Sequence, residues 1–322
     1  MTRVLVTGAA GFIGSHLSEA LLARGDSVVG YDSFDPFYPR ADKEANLVES
    51  GLNPRFTFVE GDLLDTDTLA SLIDRETVVV HLAAKAGVRP SIQDPVGYAR
   101  ANVSGTASVV DALRRAGATR LVFGSSSSVY GNSTPVPFRE DATALEPVSP
   151  YAATKRAAEL LLYALAPLSG LKVAALRYFT VFGPRQRPDL AIHAFARRML
   201  HGETLPLFGD GSQARDYTYV SDIVAGTTAA LDWTAGAPVG VECYNLGGNQ
   251  PVQLKDMVAA LSAALDIEPR VEWLPMQPGD VERTYADLEK SAAALGYAPR
   301  VAFAEGIRRF VEWCRARYER QH

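Results

Sequence analysis

The sequence predicts an α/β fold in which a doubly wound parallel sheet is joined to a smaller C-terminal α/β lobe. Three observations lead to it. Short apolar strands alternate with helical stretches through the first 180 residues, which is typical of a parallel sheet. A glycine-rich turn joins the first strand directly to a helix. After Gly183 and Pro184 the alternation gives way to segments interrupted by proline and glycine, as expected of a lobe that closes over a ligand.

The elements follow in chain order. The predicted strands of the main sheet are residues 4–7, 27–31, 56–60, 78–82, 120–125 and 173–178. Residues 1–180 are therefore expected to form a nucleotide-binding domain, and residues 181–322 the smaller lobe. Residues 241–246 resemble a strand that returns to the main sheet, so the two parts are expected to interleave.

The first turn has the spacing Gly8-x-x-Gly11-x-x-Gly14 between a strand and a helix. Gly8 permits a tight turn, Gly11 lets a pyrophosphate approach the N–H groups of the helix N-terminus, and Gly14 lets the helix pack closely. Asp32 ends the second strand about 20 residues later, where a carboxylate can accept both ribose hydroxyls of an adenosine. Because an acid there repels a 2′-phosphate, NAD is predicted in preference to NADP.

A second motif combines a phenol with an ammonium group. Ser149 is a predicted N-cap, Pro150 the first helical residue, and residues 152–165 continue the helix. Tyr151 and Lys155 are four residues apart and therefore share a face of that helix. A tyrosine with an ordinary pKa of about 10 needs a nearby positive charge to act as a base at neutral pH, and Lys155 is expected to supply it.

Composition limits the function classes. The 322 residues are 47% hydrophobic and 21% charged, as in a globular protein, and the net charge of −5 gives no basic field for nucleic acid. Cys243 and Cys314 lack metal-ligand spacing and are expected to be free thiols in a reducing compartment, so no metal is predicted. Without an apolar run of roughly 18 residues, no membrane span is predicted, and a cytoplasmic location is expected.

The motifs together resemble the extended short-chain dehydrogenase/reductase superfamily, specifically its NAD-dependent nucleotide-sugar epimerase/dehydratase branch. The resemblance covers nearly the whole chain and implies a Rossmann domain. The matching segments are Thr7 to Gly14, Gly61-Asp-Leu63, His81 to Lys85, Asn102, Ser125 to Gly131, Tyr151 to Lys155, Arg177 to Thr180 and Arg215 to Val220.

The resemblance implies three catalytic residues, Ser126, Tyr151 and Lys155. It also implies a set of cofactor-binding residues, several of which come from the turn and acid described above. That set is Gly8, Gly11, Phe12, Ile13, Gly14, Asp32, Asp62, Leu63, Leu82, Ala83, Ala84, Lys85, Asn102, Tyr151, Lys155 and Tyr178. Two helices, residues 101–113 and 152–165, resemble the pair that forms a four-helix dimer interface in this family, so a homodimer is expected.

The residues beside Ser126 favour one reaction. In the 4,6-dehydratases of this family an Asp and a Glu follow the catalytic Thr, and the uronate decarboxylases have Glu just before Val-Tyr-Gly. Ser127 and Ser128 occupy these positions here, and a hydroxyl is not a base at neutral pH without a partner. Epimerisation at C4 of a sugar therefore remains as the predicted reaction.

Further segments resemble UDP-glucuronate 4-epimerases more than UDP-galactose 4-epimerases, which usually have Asn in place of Thr180. Short hydroxyls and a guanidinium suit a C6 carboxylate, and either Arg187 or Arg185 could supply the guanidinium. The predicted substrate-binding residues are Arg89, Ser127, Ser128, Thr180, Arg187, Phe208, Arg215, Asp280 and Arg283.

Three hypotheses stay open at this point. The first is a UDP-glucuronate 4-epimerase, and the second is a UDP-glucose/UDP-galactose or other NDP-hexose epimerase. The third is a non-catalytic sensor that only binds NAD(H), against which the presence of Ser126, Tyr151 and Lys155 argues. A base preference between UDP and dTDP does not follow from the sequence.

Overall fold

The structure is a computed structural model that describes residues 1–143, 145–275 and 283–318. Its strands all lie within these ranges. They are β1 (Arg3–Thr7), β2 (Ser27–Asp32), β3 (Phe56–Glu60), β4 (Val78–His81), β5 (Arg120–Ser126), β6 (Lys172–Tyr178), β7 (Thr180–Phe182), β8 (Leu205–Phe208), β9 (Ala214–Tyr219), β10 (Gly240–Leu246), β11 (Pro251–Gln253) and β12 (Val271–Leu274).

The helices alternate with these strands, and two short turns of other helical types interrupt the series, a π-helical turn at Arg100–Ser104 and a 3₁₀ turn at Ser127–Tyr130. The α-helices are α1 (Phe12–Arg24), α2 (Arg40–Gly51), α3 (Thr66–Ser71), α4 (Val88–Gln93), α5 (Pro95–Ala99), α6 (Gly105–Ala116), α7 (Pro150–Ser169), α8 (Ala191–Leu200), α9 (Val220–Trp233), α10 (Leu254–Leu265), α11 (Glu289–Leu295) and α12 (Phe303–Tyr318).

Within the described residues, seven strands form the main sheet in the order β10-β6-β5-β4-β1-β2-β3. Every neighbouring pair is parallel, which confirms the predicted fold class. The strand order reverses at β1, where Val4 pairs with Val28 of β2 on one side and Val78 of β4 on the other. In such sheets ligands bind in the crevice outside the carboxyl ends of the strands at this point.

Both faces of the sheet are covered by helices. Val4 and Val6 belong to one buried cluster, whereas Leu5, between them, belongs to a second cluster on the opposite face. This alternation follows from the two-residue period of a strand. The strands accordingly read as continuous apolar runs in the sequence, as is usual when a parallel sheet is buried on both sides.

Smaller sheets lie in the C-terminal part of the chain, in the orders β11-β9-β7 and β12-β8. Aromatic rings join the β11-β9-β7 sheet to the last helix: the Phe182 ring of β7 lies 5.6 Å from the Tyr219 ring of β9 and 5.1 Å from the Phe303 ring of α12, between centroids. Strand β10 pairs with β6 at the edge of the main sheet, with Val241 opposite Val173. The division into lobes at residue 180 stays a prediction.

The helix that carries Tyr151 starts at Pro150 as predicted and continues past the predicted end at Leu165 to Ser169, where Gly170 ends it in a left-handed conformation. The other predicted helix, residues 101–113, differs more. It begins as the π-helical turn and becomes α6 only at Gly105. Among the described residues, the structure contains no helix with the length and apolar character that crossing a membrane requires.

Candidate active site

Ser126 lies where β5 ends and the 3₁₀ turn begins, at the carboxyl edge of the sheet. Its hydroxyl oxygen accepts hydrogen bonds from the Ser128 N–H at 3.2 Å and the Ser128 hydroxyl at 2.9 Å. The Ser126 side chain therefore caps the turn, and its own proton remains free to be donated. Ser127 and Ser128, whose hydroxyls are predicted to bind the substrate, lie in the same turn.

The helix α7 begins as the sequence predicts. The Ser149 hydroxyl accepts a hydrogen bond from the Ala152 N–H at 3.2 Å, and Pro150 occupies the first turn. This cap fixes the point at which the helix starts, so Tyr151 and Lys155 project from one face towards the end of β5.

Lys155 is 5% exposed, and its ammonium donates a hydrogen bond of 2.7 Å to the Gly124 carbonyl of β5. Burial lowers the pKa of Lys155 to about 8, and the charge of Glu159 partly opposes this. The ammonium form therefore persists at neutral pH but is lost a little above it.

Tyr151 shares a hydrogen bond with the Ser126 hydroxyl, and the Tyr98 ring meets it edge-on with 6.4 Å between centroids. Burial raises the pKa of Tyr151, whereas the Ser126 hydrogen bond and the positive charge of Arg187 lower it. The expectation that Lys155 supplies a positive charge to the phenol stays a prediction. In this structure the Lys155 ammonium donates to the Gly124 carbonyl, and the Arg187 guanidinium is a second cation whose charge acts on the phenol.

A buried ion pair lies behind Lys155. The Arg177 side chain of β6 donates two hydrogen bonds to Glu159 of α7, at 3.0 and 2.9 Å, and both residues are almost wholly buried. The Ser125 hydroxyl of β5 donates to the same carboxylate at 2.7 Å. Glu159 thus fixes α7 to two strands, a role that the sequence reasoning missed although Glu159 lies one helical turn after Lys155.

The glycine turn is built as predicted. Gly8 has φ +75°, and a Cβ there would come within 2.8 Å of the Ala83 nitrogen. A Cβ on Gly14 would lie 2.1 Å from the Gly8 carbonyl oxygen, so this glycine permits the close approach of helix and turn. In the described part of the chain, no side chain caps α1, and its first N–H groups suit the pyrophosphate of a dinucleotide.

Asp32 ends β2 beside this turn. Its carboxylate accepts hydrogen bonds from the Ala10 N–H at 3.2 Å and the Phe34 N–H at 2.8 Å. Burial raises the pKa of Asp32, and the backbone donors and the Lys43 charge oppose the shift. A carboxylate accepts about four hydrogen bonds, so two sites remain for a ribose diol. The residues present therefore fit NAD.

The main chain of Lys85, which follows β4, is fixed by hydrogen bonds with the Asn102 side chain. The Lys85 N–H donates to the Asn102 side-chain oxygen at 2.8 Å, and the Asn102 amide donates to the Lys85 carbonyl at 3.0 Å and the Thr154 hydroxyl at 2.9 Å. Asn102 is 2% exposed. The structure thus places Asn102 beneath the predicted cofactor surface, where it acts through the main chain of Lys85.

His81 completes this support; it lies in a segment that resembles the family, but no role for it was predicted from the sequence. Its ring contacts the Thr7 hydroxyl at 2.8 Å and the Thr106 hydroxyl at 3.2 Å. Since the Thr106 hydroxyl donates to the Asn102 carbonyl and the Thr7 hydroxyl accepts from the Ala83 N–H, the bonding requires Nε2–H on a neutral ring. Burial lowers the pKa of His81 to about 3, which agrees with that neutral form.

The other predicted cofactor residues lie around the same crevice. Asp62 is exposed beyond β3 and accepts from the Leu64 N–H at 2.9 Å. The Lys85 ammonium pairs with Asp94 at 2.9 Å, and the Tyr178 hydroxyl contacts the Thr227 hydroxyl at 2.9 Å, away from the turn. The remaining residues are buried or half-buried: Phe12, Ile13 and Leu82 belong to or pack against one core cluster, Leu63 packs against the other, and Ala83 and Ala84 are half-buried.

The two candidate arginines are directed differently. Arg187 forms a two-pronged ion pair with Asp189, its guanidinium lies 5.3 Å from the centre of the Phe37 ring, and its charge acts on the phenols of Tyr151 and Tyr38. Arg185 instead pairs with Glu19 of α1 at 2.7 Å. Of the two, Arg187 is thus the one beside the catalytic phenol.

Some of the residues predicted to bind the nucleotide part of the substrate lie close to one another. The Arg89 guanidinium lies 5.0 Å from the centre of the Phe208 ring. Arg283 pairs with Ala214 in an isolated bridge, which brings it next to Arg215 on β9. Thr180, at the start of β7, pairs with Tyr217 of the same β9. The predicted ribose ligand Asp280 lies outside the described residues.

A buried carboxylate organises this end of the site. Asp216 of β9 is wholly buried and accepts hydrogen bonds from the Gly248 N–H at 2.7 Å and the Ala286 N–H at 2.9 Å. It thereby ties the segment after β10 and the segment after Arg283 to β9. Sequence reasoning quoted this residue within a motif but gave it no role.

Comparison with known proteins places this geometry in a family. The model of the NAD dependent epimerase/dehydratase family matches residues 4–247. The chain belongs to that family. The predicted family, its NAD dependence and its α/β fold are confirmed.

Individual relatives of this family member are similar over their full length. The UDP-glucuronate 4-epimerase of Thermodesulfobacterium geofontis is 38% identical over 99% of this chain and 98% of its own. The crystal structure of a Bacillus cereus UDP-glucuronic acid 4-epimerase with UDP-glucuronic acid and NAD has a TM-score of 0.92 at 37% identity, over 98% of this chain and 100% of that one. A Thermotoga maritima UDP-glucose 4-epimerase with UDP-glucose has a TM-score of 0.87 at 31% identity, over 98% and 99%.

Proposed function

We propose that this chain is an NAD-dependent 4-epimerase that interconverts UDP-glucuronate and UDP-galacturonate. The observation that carries the proposal is the position of Arg187, a mostly buried guanidinium whose charge acts on the Tyr151 phenol. A carboxylate at C6 of a sugar whose C4 hydroxyl meets Tyr151 would lie within reach of such a group. The uronate 4-epimerases among its relatives support the same substrate class.

The chain's own residues supply the proton chemistry. The Tyr151 phenolate accepts the proton of the C4 hydroxyl, and the phenol returns it to the C4 oxygen when the ketone is reduced again. Ser126 donates a hydrogen bond to that oxygen, and Lys155 keeps the end of β5 and α7 in register through the Gly124 carbonyl. Bound NAD supplies the hydride acceptor at C4 and gives the hydride back on the other face of the sugar.

The two positions after Ser126 do not carry the groups that would divert the 4-keto sugar. A 4,6-dehydration needs a base at C5 and an acid at C6, and Ser127 and Ser128 stand where the dehydratases carry carboxylates. A 4-keto uronate is also a β-keto acid, which loses CO₂ when the C5–C6 bond aligns with the carbonyl π system. Ser127, Ser128, Thr180 and Arg187 are the proposed clamp that holds the carboxylate out of that alignment.

The nucleotide is proposed to bind at the end formed by Phe208, Arg89, Arg215 and Arg283. Aromatic contact with the base and guanidinium contacts with the diphosphate suit this set. A neutral UDP-hexose epimerase is the second candidate, because the Arg187 charge is already balanced by Asp189. An NAD(H) sensor without catalysis is disfavoured by the contact between Ser126 and Tyr151.

The expected homodimer has a matching surface. Leu160 and Tyr163 of α7 are 53% and 45% exposed, and Leu168 near its end is 83% exposed. We infer that this face of α7 packs against a second copy of the chain, together with α6. Cys243 and Cys314 are buried and are not joined in a disulfide, and the cytoplasmic location stays a prediction.

The deciding experiment is turnover of purified protein. Incubation with UDP-glucuronate, followed by NMR, should give UDP-galacturonate without added cofactor, since NAD should copurify and be regenerated in every cycle. UDP-glucose in a parallel sample tests the neutral alternative. Preferential turnover of UDP-glucose, or stoichiometric accumulation of NADH, would contradict the proposal.

A further inference from the structure

The pairing of Arg187 with Asp189 places a built-in carboxylate on the guanidinium that is proposed to hold the substrate. The Arg187 Nε donates to Oδ1 of Asp189 at 2.9 Å and Nη2 donates to Oδ2 at 2.8 Å. This two-pronged arrangement is the strongest that a guanidinium offers a carboxylate. Asp189 therefore occupies one complete edge of Arg187.

The local backbone enforces this arrangement. The Leu190 N–H donates to the Arg187 carbonyl at 3.2 Å, which closes a turn around Pro188 and Asp189. Pro188 fixes its own φ, so Arg187 and Asp189 are held on either side of it in a rigid turn. Their side chains are 17% and 33% exposed, and Asp189 thus has the more open path to solvent.

Other charged groups lie around Arg187: Asp42 lines the same small cavity, and Asp32 and Asp35 act on the neighbouring Tyr38 and Lys43 side chains. The phenols of Tyr151, Tyr38 and Tyr98 and the ammonium of Lys43 feel its charge, and the Phe37 ring lies against it. Asp189 is its hydrogen-bonded counter-ion. A substrate carboxylate arriving at Arg187 therefore meets a guanidinium that is already paired with Asp189, and the two carboxylates compete for it.

Competition of this kind suits an epimerase. The 4-keto sugar must rotate between the two half-reactions so that its other face meets the cofactor, and a carboxylate gripped on a bare guanidinium would resist that rotation. We propose that Asp189 is a specificity-determining and positioning residue that exchanges with the substrate carboxylate on Arg187, so that the acid is recognised but released for rotation. This inference rests on the proposed function, since it takes the substrate to be a uronic acid.

The test compares binding of the acid and the neutral nucleotide sugar. In a Tyr151→Phe background, which prevents turnover, calorimetry would give the Kd of UDP-glucuronate and of UDP-glucose with and without Asp189→Asn. The amide keeps the shape of the side chain and can accept one hydrogen bond from Arg187 but carries no charge. We expect the Kd for the acid, relative to that for UDP-glucose, to fall about 10-fold, or about 1.4 kcal/mol.

A matched control comes from the same chain. Arg139 and Asp141 have the same two-residue spacing and ion pair, with Nε to Oδ1 at 3.3 Å, and the Ala142 N–H closes a similar turn on the Arg139 carbonyl. This pair is exposed, Arg139 also contacts Asp287 and Glu289, and neither Arg139 nor Asp141 is among the charges that shift the pKa of Tyr151. Asp141→Asn should leave the ratio of the two Kd values unchanged, so a general effect of removing one negative charge is separated from the effect at Arg187.

Two further measurements decide the mechanism. In an Arg187→Ala background, Asp189→Asn should no longer alter the Kd ratio, because the coupling runs through the guanidinium. With an intact Tyr151, Asp189→Asn should raise the steady-state fraction of reduced cofactor during turnover of UDP-glucuronate, since slower rotation prolongs the keto-sugar stage. NADH fluorescence reports that fraction.

An unchanged or higher Kd ratio for the acid would overturn the inference, as would an equal effect in the Arg187→Ala background. Tighter binding without more reduced cofactor would overturn the exchange role. Failure of the proposed function is seen separately, because it shows in the parent protein as absence of UDP-glucuronate epimerisation, before any variant is made.

Discussion

Removal of the Arg187 guanidinium tests the substrate assignment most directly. Arg187→Ala deletes a side chain that is 17% exposed and whose charge acts on the Tyr151 phenol. A hydrogen bond to a charged group contributes about 1.5–3 kcal/mol, so losing its contact with the substrate carboxylate should lower kcat/KM for UDP-glucuronate by roughly 10- to 150-fold. Activity on UDP-glucose, compared with each protein at its own pH optimum, should be spared or improved.

Two side effects should accompany this loss. With a weaker clamp, the β-keto acid loses CO₂ more often, and the resulting enolate takes up a proton at C5 to give a 4-keto pentose. Return of the hydride to C4 reduces this ketone, so the fraction of pentose product should rise. Because the Arg187 charge lowers the pKa of Tyr151, its removal should move the acidic limb of the pH profile to higher pH. NMR product ratios and initial rates between pH 5 and 10 would measure both.

Arg185→Ala is the matched control for this experiment. Arg185 is two residues away but pairs with Glu19 of α1, so it should change neither the preference for the acid nor the pentose fraction. If Arg187→Ala keeps the parent's preference for the acid and releases no extra CO₂, the uronate assignment falls back to a generic NDP-hexose epimerase.

Three other variants probe the site. Tyr151→Phe should abolish turnover while NAD remains bound, because the phenol moves the C4 proton and the dinucleotide is held mainly at the glycine turn and Asp32; an unchanged rate would sink the assignment. Lys155→Met should slow the reaction. In the parent, kcat is expected to decline as the Lys155 ammonium deprotonates near pH 8, and a profile of kcat against pH should show that the variant has lost this decline. Glu159→Gln should lower the free energy of unfolding by about 3–5 kcal/mol in denaturant titrations, because it leaves Arg177 buried without its counter-ion, and a loss below 1 kcal/mol would refute a structural role.

The pH dependence of the Glu159 contribution has a definite sign. Burial alone would raise the pKa of Glu159, but hydrogen bonds from Arg177 and Ser125 hold it below the ordinary value of 4.5. Its pairing therefore stabilises the fold above that ordinary value and is lost as the pH falls through the lowered folded-state pKa. The difference in unfolding free energy between the parent and Glu159→Gln should accordingly shrink in acid.

The fold could be predicted because local signals agree with one another. The strand that ends at Thr7, the glycine turn and the Ser149 cap each follow from short-range chemistry, and their order in the chain admits few topologies. The catalytic phenol and Lys155 could also be placed on one helix face from their spacing alone.

Contacts between distant segments could not be predicted in the same way. Lys155 and Tyr151 are neighbours on a helix, but whether the ammonium meets the phenol or a carbonyl depends on where β5 ends relative to α7. His81 and Asn102 contribute through hydrogen bonds to residues far away in sequence, including Thr7 and Thr154. Nothing in the local sequence around them specifies those partners, although a polar residue in an otherwise apolar strand was a signal for His81.

The position of Arg187 joins substrate recognition to proton transfer. Its charge favours the Tyr151 phenolate, and Asp189 already offsets part of that charge. If a substrate carboxylate replaces Asp189, the net charge near the phenol changes little. If both carboxylates stay on Arg187, the net charge near the phenol becomes more negative. Exchange therefore keeps the strength of the base constant through the binding step, whereas simple addition would weaken it. A neutral sugar leaves Asp189 in place, so the pKa of the Tyr151 phenol is the same as in the free site. Arg187 can therefore discriminate between sugars by charge, while proton transfer at C4 does not depend on which sugar is bound.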